Sequence, residues 1–323
     1  MKVGILGAGS IAGTVSQTLA RTPGIECYAV GSREESKAQA FASAHGFEKA
    51  YGSYEALLDD PQVELVYVAT PHSHHAMWML QAIEAGKAVL CEKAFTVNAA
   101  QARQVKARSE EKKVLAAEAI WTRYMPSRAV IQQVLDSGVI GEVKALTANL
   151  CYPVSGNARM SDPMLAGGAL LDVGVYGVNF ALMHFGDEIE RIETAVKMTD
   201  RGVDEMETIT FFYKNGRMAS ITAGMTSRSD RKGIFYGEKG YIIVENINNP
   251  QSVSVFDTND KLLQRIETPS GISGYEYEFL ECAKALEEGR TQTWSMPLAD
   301  SVRMMEIMDA VRAKWGFVYP FEK

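Results

Sequence analysis

The chain opens on an apolar run, "KVGILG" (2–7), and repeats the device at 26–32, 64–70, 87–92 and 113–119, each run six or seven residues long. Short runs that are apolar throughout, with no polar face, are the pattern of strands buried on both sides. Between them, apolar positions recur at helical spacing over 11–21, 34–45, 53–59, 74–85 and 98–111. Strand and helix in alternation predict a doubly wound parallel sheet with helices on both faces, an α/β Rossmann arrangement.

Past residue 121 the pattern changes. A helix is expected at 126–137, closed by "SGVIGE", and then come in–out alternating runs at 142–152, 189–199, 206–213, 217–225, 240–246 and 252–257. Hairpin-like breaks, "KNGR" (214–217) and "EKG" (238–240), separate some of them. Helical patterns return at 165–185, 275–288 and 297–314. The expectation is therefore two domains, a dinucleotide-binding one over 1–121 and an α+β one over 122–323 with a large, mostly antiparallel open sheet. Such a sheet leaves one face to cover, which predicts a homodimer or homotetramer.

Composition narrows the partners. With 33 basic and 40 acidic residues the formal charge is −7, and no basic stripe is visible, which argues against a nucleic-acid binder. No apolar run is expected to reach the ~18–20 residues that span a bilayer. The N-terminus turns glycine-rich within a few residues, as a strand and turn do and a signal peptide does not. Cys27, Cys91, Cys151 and Cys282 are scattered without metal-ligand spacing, and Cys27 and Cys91 lie in apolar strand-like runs where a reduced cysteine acts as a small core residue, so the cytoplasm is the expected compartment.

The chemistry sits at the strand ends. In "GILGAGSIAGTVSQTLA" (4–20), Gly7, Gly9 and Ala12 fit G-x-G-x-x-[G/A] after a strand, with Ser10 and Ile11 opening the helix. Glycines there allow a tight turn and close approach of backbone N–H groups to a pyrophosphate; a glycine-rich turn with no ligand is the competing account. The second strand ends "VGSRE" (30–34), with no acid at 31–33 to hold a ribose 2′-hydroxyl. Ser32 and Arg33 suit a 2′-phosphate instead, favouring NADP over NAD, unless Arg33 is a plain surface residue and Ser32 belongs to the next helix start. In "VATPHSHHAMWM" (68–79), Thr70, Pro71, His72 and His75 are expected to line the same crevice. Neighbouring imidazoles at a strand–helix junction diverge and no carboxylate accompanies them, so no metal is expected. In an open parallel sheet all the strand ends share one edge. Glu92 and Lys93 of "VLCEKAFTVN" (89–98) therefore fall beside a cofactor rather than forming an exposed ion pair. In the second half, "GGALLDVGVYGVNFALMHFG" (167–186) puts Asp172 and Tyr176 four apart, on one face if the stretch is a regular helix. The plain alternative is an acid at a helix start and a satisfied buried tyrosine.

Together with "AGKAVLCEK" and "AEAIWTRYMP", these stretches resemble the glucose–fructose oxidoreductase/inositol dehydrogenase (Gfo/Idh/MocA) family over essentially the whole chain, and within it the dihydrodiol and D-xylose dehydrogenase branch. The resemblance implies a Rossmann domain, a C-terminal α+β domain often used for oligomerisation, and NADP(H)-dependent hydride transfer at a CH–OH group of a sugar, polyol or trans-dihydrodiol. It makes Glu92 and Lys93 the acid and lysine of the family's Glu-Lys-Pro motif, Asp172 and Tyr176 the acid and proton-transfer positions, and Trp121 and Arg123 neighbours of nicotinamide and substrate. Tyr176 would be the acid/base with Lys93 favouring its phenolate, or the two roles would be exchanged. Ala94 stands where the family has proline, leaving open a trans bond or a cis bond that costs ~2.5–4 kcal/mol. A non-catalytic NADP-binding sensor on the same fold is the rival reading.

Overall fold

The computed structural model describes residues 1–322. The chain forms two compact units: Met1–Tyr124 with Gly271–Met305, and Met125–Ser270 with the chain from Glu306 onward.

The first unit alternates as its pattern predicts: β1 (Lys2–Leu6), α1 (Ser10–Leu19), β2 (Glu26–Gly31), α2 (Glu35–His45), β3 (Lys49–Tyr51), α3 (Tyr54–Leu58), β4 (Leu65–Val68), α4 (His75–Glu84), β5 (Ala88–Glu92), α5 (Ala99–Lys112) and β6 (Ala116–Ala119). The six strands are ordered β3-β2-β1-β4-β5-β6 and every pairing is parallel. Every residue of β4, β5 and β6 is buried, as strands covered on both faces must be. Side-chain caps begin α3 and α5: Ser53 accepts from the Ala56 N–H and Asn98 from the Gln101 N–H. Chain order reverses between β1 and β4, which opens a crevice at their carboxyl ends.

Residues 271–305 depart from the expected continuous second domain, and the core explains why. Helix α8 (Glu276–Glu287) sends Phe279, Cys282 and Ala285 into the same hydrophobic cluster as Val3, Ile5, Leu65, Tyr67 and Leu90. Burying one such large side chain is worth ~1.5–3 kcal/mol, enough to commit the segment to the first unit's sheet.

The second unit is built on an eight-stranded sheet: β7 (Val143–Cys151), β8 (Ile189–Met198), β9 (Asp204–Tyr213), β10 (Met218–Gly224), β11 (Gly233–Gly237), β12 (Gly240–Val244), β13 (Ser252–Asp257) and β14 (Leu262–Glu267). Its order is β14-β13-β12-β11-β7-β10-β9-β8, antiparallel except where β10 runs parallel to β7. Helix α6 (Ser127–Asp136) precedes the sheet. Helix α7 (Val175–Phe185) packs on β7 and β10, and Leu146, Ile209, Phe211, Ile221, Phe235 and Phe180 are buried there. By length and composition the helical stretch Pro163–Phe185 could cross a membrane, contrary to the expectation that no apolar run reaches that length. Its apolar window is 94% buried inside the fold, which makes it the unit's core helix.

Candidate active site

At the end of β1 the chain turns through Gly7, whose φ is +109° and whose missing Cβ would stand 2.7 Å from the Ala69 carbonyl oxygen. Only glycine fits there. Gly9, by contrast, has φ −102°, and a Cβ on it would meet nothing within 4 Å. The turn is thus tight on its protein side and open on the other, and α1 begins at Ser10 with no acidic residue in its first turn to compete for its N–H groups. Ala12, fully buried, lets α1 lie close on the sheet. The open side is a cleft lined by Gly7, Ala8, Gly9, Ser32, Arg33, Glu34, Lys37, Tyr54, Ala69, Thr70 and Pro71.

Two features of this cleft fit a dinucleotide. The Thr70 hydroxyl is buried at its wall and has no hydrogen-bond partner among the described residues, a polar atom that a ligand hydroxyl or amide would satisfy. At the β2 end Arg33 and Lys37 are both exposed, one helical turn apart, and no carboxylate occupies 31–33. Ser32 is buried, and its Oγ accepts from the Glu34 N–H at 3.4 Å, so it also shapes the turn. The field of Arg33 is felt nearby. The pKa of His74 is lowered by burial and then by Arg33, and that of Tyr54 is raised by burial against the pull of Arg33. Tyr54 stands edge-on to Trp78 at 4.8 Å, which fixes the cleft wall. Sequence reasoning missed Lys37 and Tyr54. A lysine in the first turns of a polar helix and an aromatic in a short one carry no signal until β2 and α3 are placed side by side.

The remaining predicted residues of the first unit are not among those that line the cleft. Fully buried His75 has Nδ1 2.8 Å from the Ala94 carbonyl and Nε2 2.8 Å from the Thr70 carbonyl, tying the loops after β4 and β5 together. His72, also buried, stands edge-on to it at 5.5 Å. Lys93 is partly buried and its peptide bond to Ala94 is cis. Glu92 is buried and accepts a short hydrogen bond from the Tyr67 hydroxyl, so it is no exposed surface charge. Two more acids sit in the same interior. Glu118 accepts from the Phe95 N–H at 3.1 Å and burial pushes its pKa to about 7, while the carboxyl of Glu278 is held well above the usual carboxylate range by burial and then by Glu92. Both hide in apolar patterns, "AAEA" and "YEFLE", where a single acid reads as solvent-facing. Trp121 stacks on Tyr275 at 4.4 Å, and buried Arg123 bonds Asp300 at 2.7 Å.

In the second unit the segment before α7 is not regular α-helix. Leu170–Gly174 is a π turn, wider than α, so Asp172 and Tyr176 do not keep the simple i, i+4 register of a straight helix. Such turns gather at functional sites. The double glycine ahead of it is filled by protein. A Cβ on Gly167 would lie 2.6 Å from the carbonyl oxygens of both Arg159 and Met160, and one on Gly168 (φ +118°) would lie 2.1 Å from Asp204 Oδ1. Asp204 uses its other oxygen to accept from the Leu170 N–H at 2.5 Å, capping the turn. Its pKa is raised to about 6 by burial, with that N–H pulling the other way. Asp172 and Tyr176 are each 8% exposed, and Asp172 Oδ1 is paired with Arg159 Nη2 at 2.9 Å. Sequence reasoning passed over Arg159, which lies in a polar stretch with no periodicity.

The first unit thus offers a turn open on one side and a partly buried lysine at a strand end, and the second an acid and a tyrosine around a π turn. Comparison with known proteins gives the family. Residues 1–119 match the model of an oxidoreductase family with an NAD-binding Rossmann fold, and residues 129–243 match the GFO/IDH/MocA C-terminal domain. The chain is 33% identical to trans-1,2-dihydrobenzene-1,2-diol dehydrogenase of Mus musculus, over 100% of this chain and 99% of that one. The human protein of that name is 32% identical over 100% and 99%. A 3-ketoreductase from Actinomadura kijaniata, solved with NADP and TDP-benzene, superposes with a TM-score of 0.89 at 28% identity, covering 97% of each chain. An aldose-aldose oxidoreductase from Caulobacter crescentus shares the fold, with a TM-score of 0.87 at 20% identity over 98% of each chain. This chain belongs to the Gfo/Idh/MocA family of NAD(P)-binding oxidoreductases and is a dehydrogenase or reductase acting on CH–OH groups.

Proposed function

We propose that the protein is an NADP(H)-dependent oxidoreductase that interconverts a CH–OH group and a carbonyl on a sugar, polyol or trans-dihydrodiol. The observation that carries the cofactor half is the cleft: an open approach at Gly9, a buried Thr70 hydroxyl without a partner among the described residues, and Arg33 and Lys37 where an NAD enzyme would hold a carboxylate. The relatives add the chemical class, since one group is named for a dihydrodiol and the ketoreductase was solved with NADP.

NADP, when bound, supplies the hydride acceptor at nicotinamide C4. The chain's own residues handle the proton and the substrate. Tyr176 takes the hydroxyl proton as the carbinol is oxidised and returns it in the reductive direction. A tyrosine with pKa near ~10 is a weak base at neutral pH, so the ammonium of Lys93 serves to favour its phenolate and to hold the substrate oxygen. Asp172 orients the substrate. His75, bonded to both the Thr70 and Ala94 carbonyls, fixes the loop from which Lys93 projects. Tyr176→Phe and Lys93→Met should each reduce kcat by 100-fold or more while NADP still binds, as read by fluorescence titration. Near-normal turnover in both would sink the assignment. Tight NADP binding with no turnover on any sugar or diol would place the chain among cofactor sensors.

The outer face of the eight-stranded sheet supports a homodimer. Tyr241 stacks on Phe256 at 4.9 Å there, beside Tyr236, which is 39% exposed, and partly exposed Ile234 and Ile243. An apolar, aromatic face of this kind calls for a partner, and a second copy is the one always present. A monomeric mass by light scattering at micromolar concentration would overturn this.

A further inference from the structure

The Arg159–Asp172 pair is built for more than charge neutralisation. Arg159 sits on a single 3₁₀ turn, Ala158–Ser161, yet its backbone is pinned. Its carbonyl packs against Gly167, Gly168 N–H donates to the Met160 carbonyl at 3.0 Å, and Met160 is buried. Asn157 accepts from the Arg159 N–H at 3.3 Å. The side chain is therefore aimed rather than adrift. It bonds Asp172 through Nη2 alone, and among the described residues its other guanidinium N–H groups bond nothing. The side chain is 37% exposed against 11% for Asp172, so the arginine reaches solvent beside a largely buried acid. Guanidinium–carboxylate pairs favour the two-bond fork, and this pair leaves the fork half used.

We infer that Arg159 is a substrate-binding and specificity-determining residue, donating to a second substrate oxygen adjacent to the one that Asp172 holds, so that the site selects vicinal diols over lone alcohols. A hydroxyl both donates and accepts. Two on neighbouring carbons match a carboxylate acceptor and a guanidinium donor set side by side. The inference rests on the reading of Asp172 as the substrate-orienting acid.

The test separates binding from turnover. NMR titration of the NADP-loaded protein with trans-cyclohexane-1,2-diol and with cyclohexanol should show the diol bound at least tenfold more tightly. Arg159→Met should weaken the diol by 10–100-fold, the usual scale for losing a charged hydrogen bond, and leave cyclohexanol within twofold and NADP affinity unchanged. In turnover the loss should fall on KM more than on kcat. Arg159→Lys, which keeps charge but not the fork, should retain less than a fifth of the diol affinity; it carries the test if the Met variant fails to fold. Equal losses on both alcohols, or no diol preference in the wild type, would overturn the inference. So would tenfold stronger binding of D-glucuronate than of D-glucose, which would give the outward donors to a carboxylate. Diol binding that depends on Arg159 in a protein with no turnover would leave the inference standing and remove the proposed reaction.

Discussion

Two glycine pairs precede two helices in this protein, and they do opposite things. Gly7 and Gly9 stand before α1, and Gly167 and Gly168 before the π turn that leads into α7. At the first pair one glycine is needed by the protein and the other faces open space. At the second pair both positions are filled, one by the Arg159 and Met160 carbonyls and one by the Asp204 carboxylate. The same local signal thus marks an open turn in one case, the one proposed to cradle the cofactor, and an internal brace in the other. Glycine reports that something comes close; only the surroundings say whether that is the chain itself or a ligand.

This contrast can be broken by substitution. Gly168→Ala forces a side chain onto Asp204 at a φ that alanine rarely adopts, so urea unfolding should show a loss of about 3 kcal/mol or more. A loss under ~0.5 kcal/mol, the range of ordinary surface changes, would mean the brace is not one. In the cradle the effect should fall on ligand and not on stability. Arg33→Asp should weaken NADP by 10–100-fold, the scale of a lost charge-assisted contact to a phosphate, with NAD changed less than threefold. Equal losses on both cofactors would show that Arg33 does not reach the 2′-phosphate. Gly9→Ala should weaken NADP about tenfold with unfolding free energy unchanged within ~0.5 kcal/mol. If it destabilised the fold as Gly168→Ala does, the two pairs would be the same device after all.

How much of this was legible follows from the same physics. Strands buried on both faces announce themselves as apolar runs, so β1, β2, β4, β5 and β6 stood out, and the hairpin at "KNGR" between β9 and β10 did too. Missed strands had no such pattern. β3 is three residues long, β11 is bounded by Gly233 and Gly237, and β14 lies at a sheet edge with nearly every residue exposed. The amphipathic period of α8 predicted a helix but could not say which sheet Phe279 and Cys282 would enter. The π turn at Asp172 was invisible because it differs from α by one residue of register, which composition does not encode. The glycine turn and the strand ends were readable because their pattern is local in sequence. Lys37, Tyr54, Arg159, Glu118 and Asp204 matter through neighbours distant along the chain.

Asp204 gives the smallest and sharpest test of the brace. Its carboxyl caps the Leu170 N–H from a fully buried position, and burial raises its folded pKa to about 6 against ~3.9 for an unfolded aspartate. A carboxyl raised in this way binds its proton more tightly in the folded state. Its contribution to stability is therefore greatest below pH ~3.9 and is lost as pH rises through about 6. Asparagine keeps an oxygen for the Leu170 N–H and cannot ionise. Asp204→Asn should then gain about 1 kcal/mol on the wild type between pH 5 and pH 7, with the unfolding free energies of the two compared at each pH to cancel every other carboxylate. A difference that stays flat across that range would mean Asp204 ionises as freely folded as unfolded. The space at Gly168 would then have a solvated charge beside it rather than a buried cap.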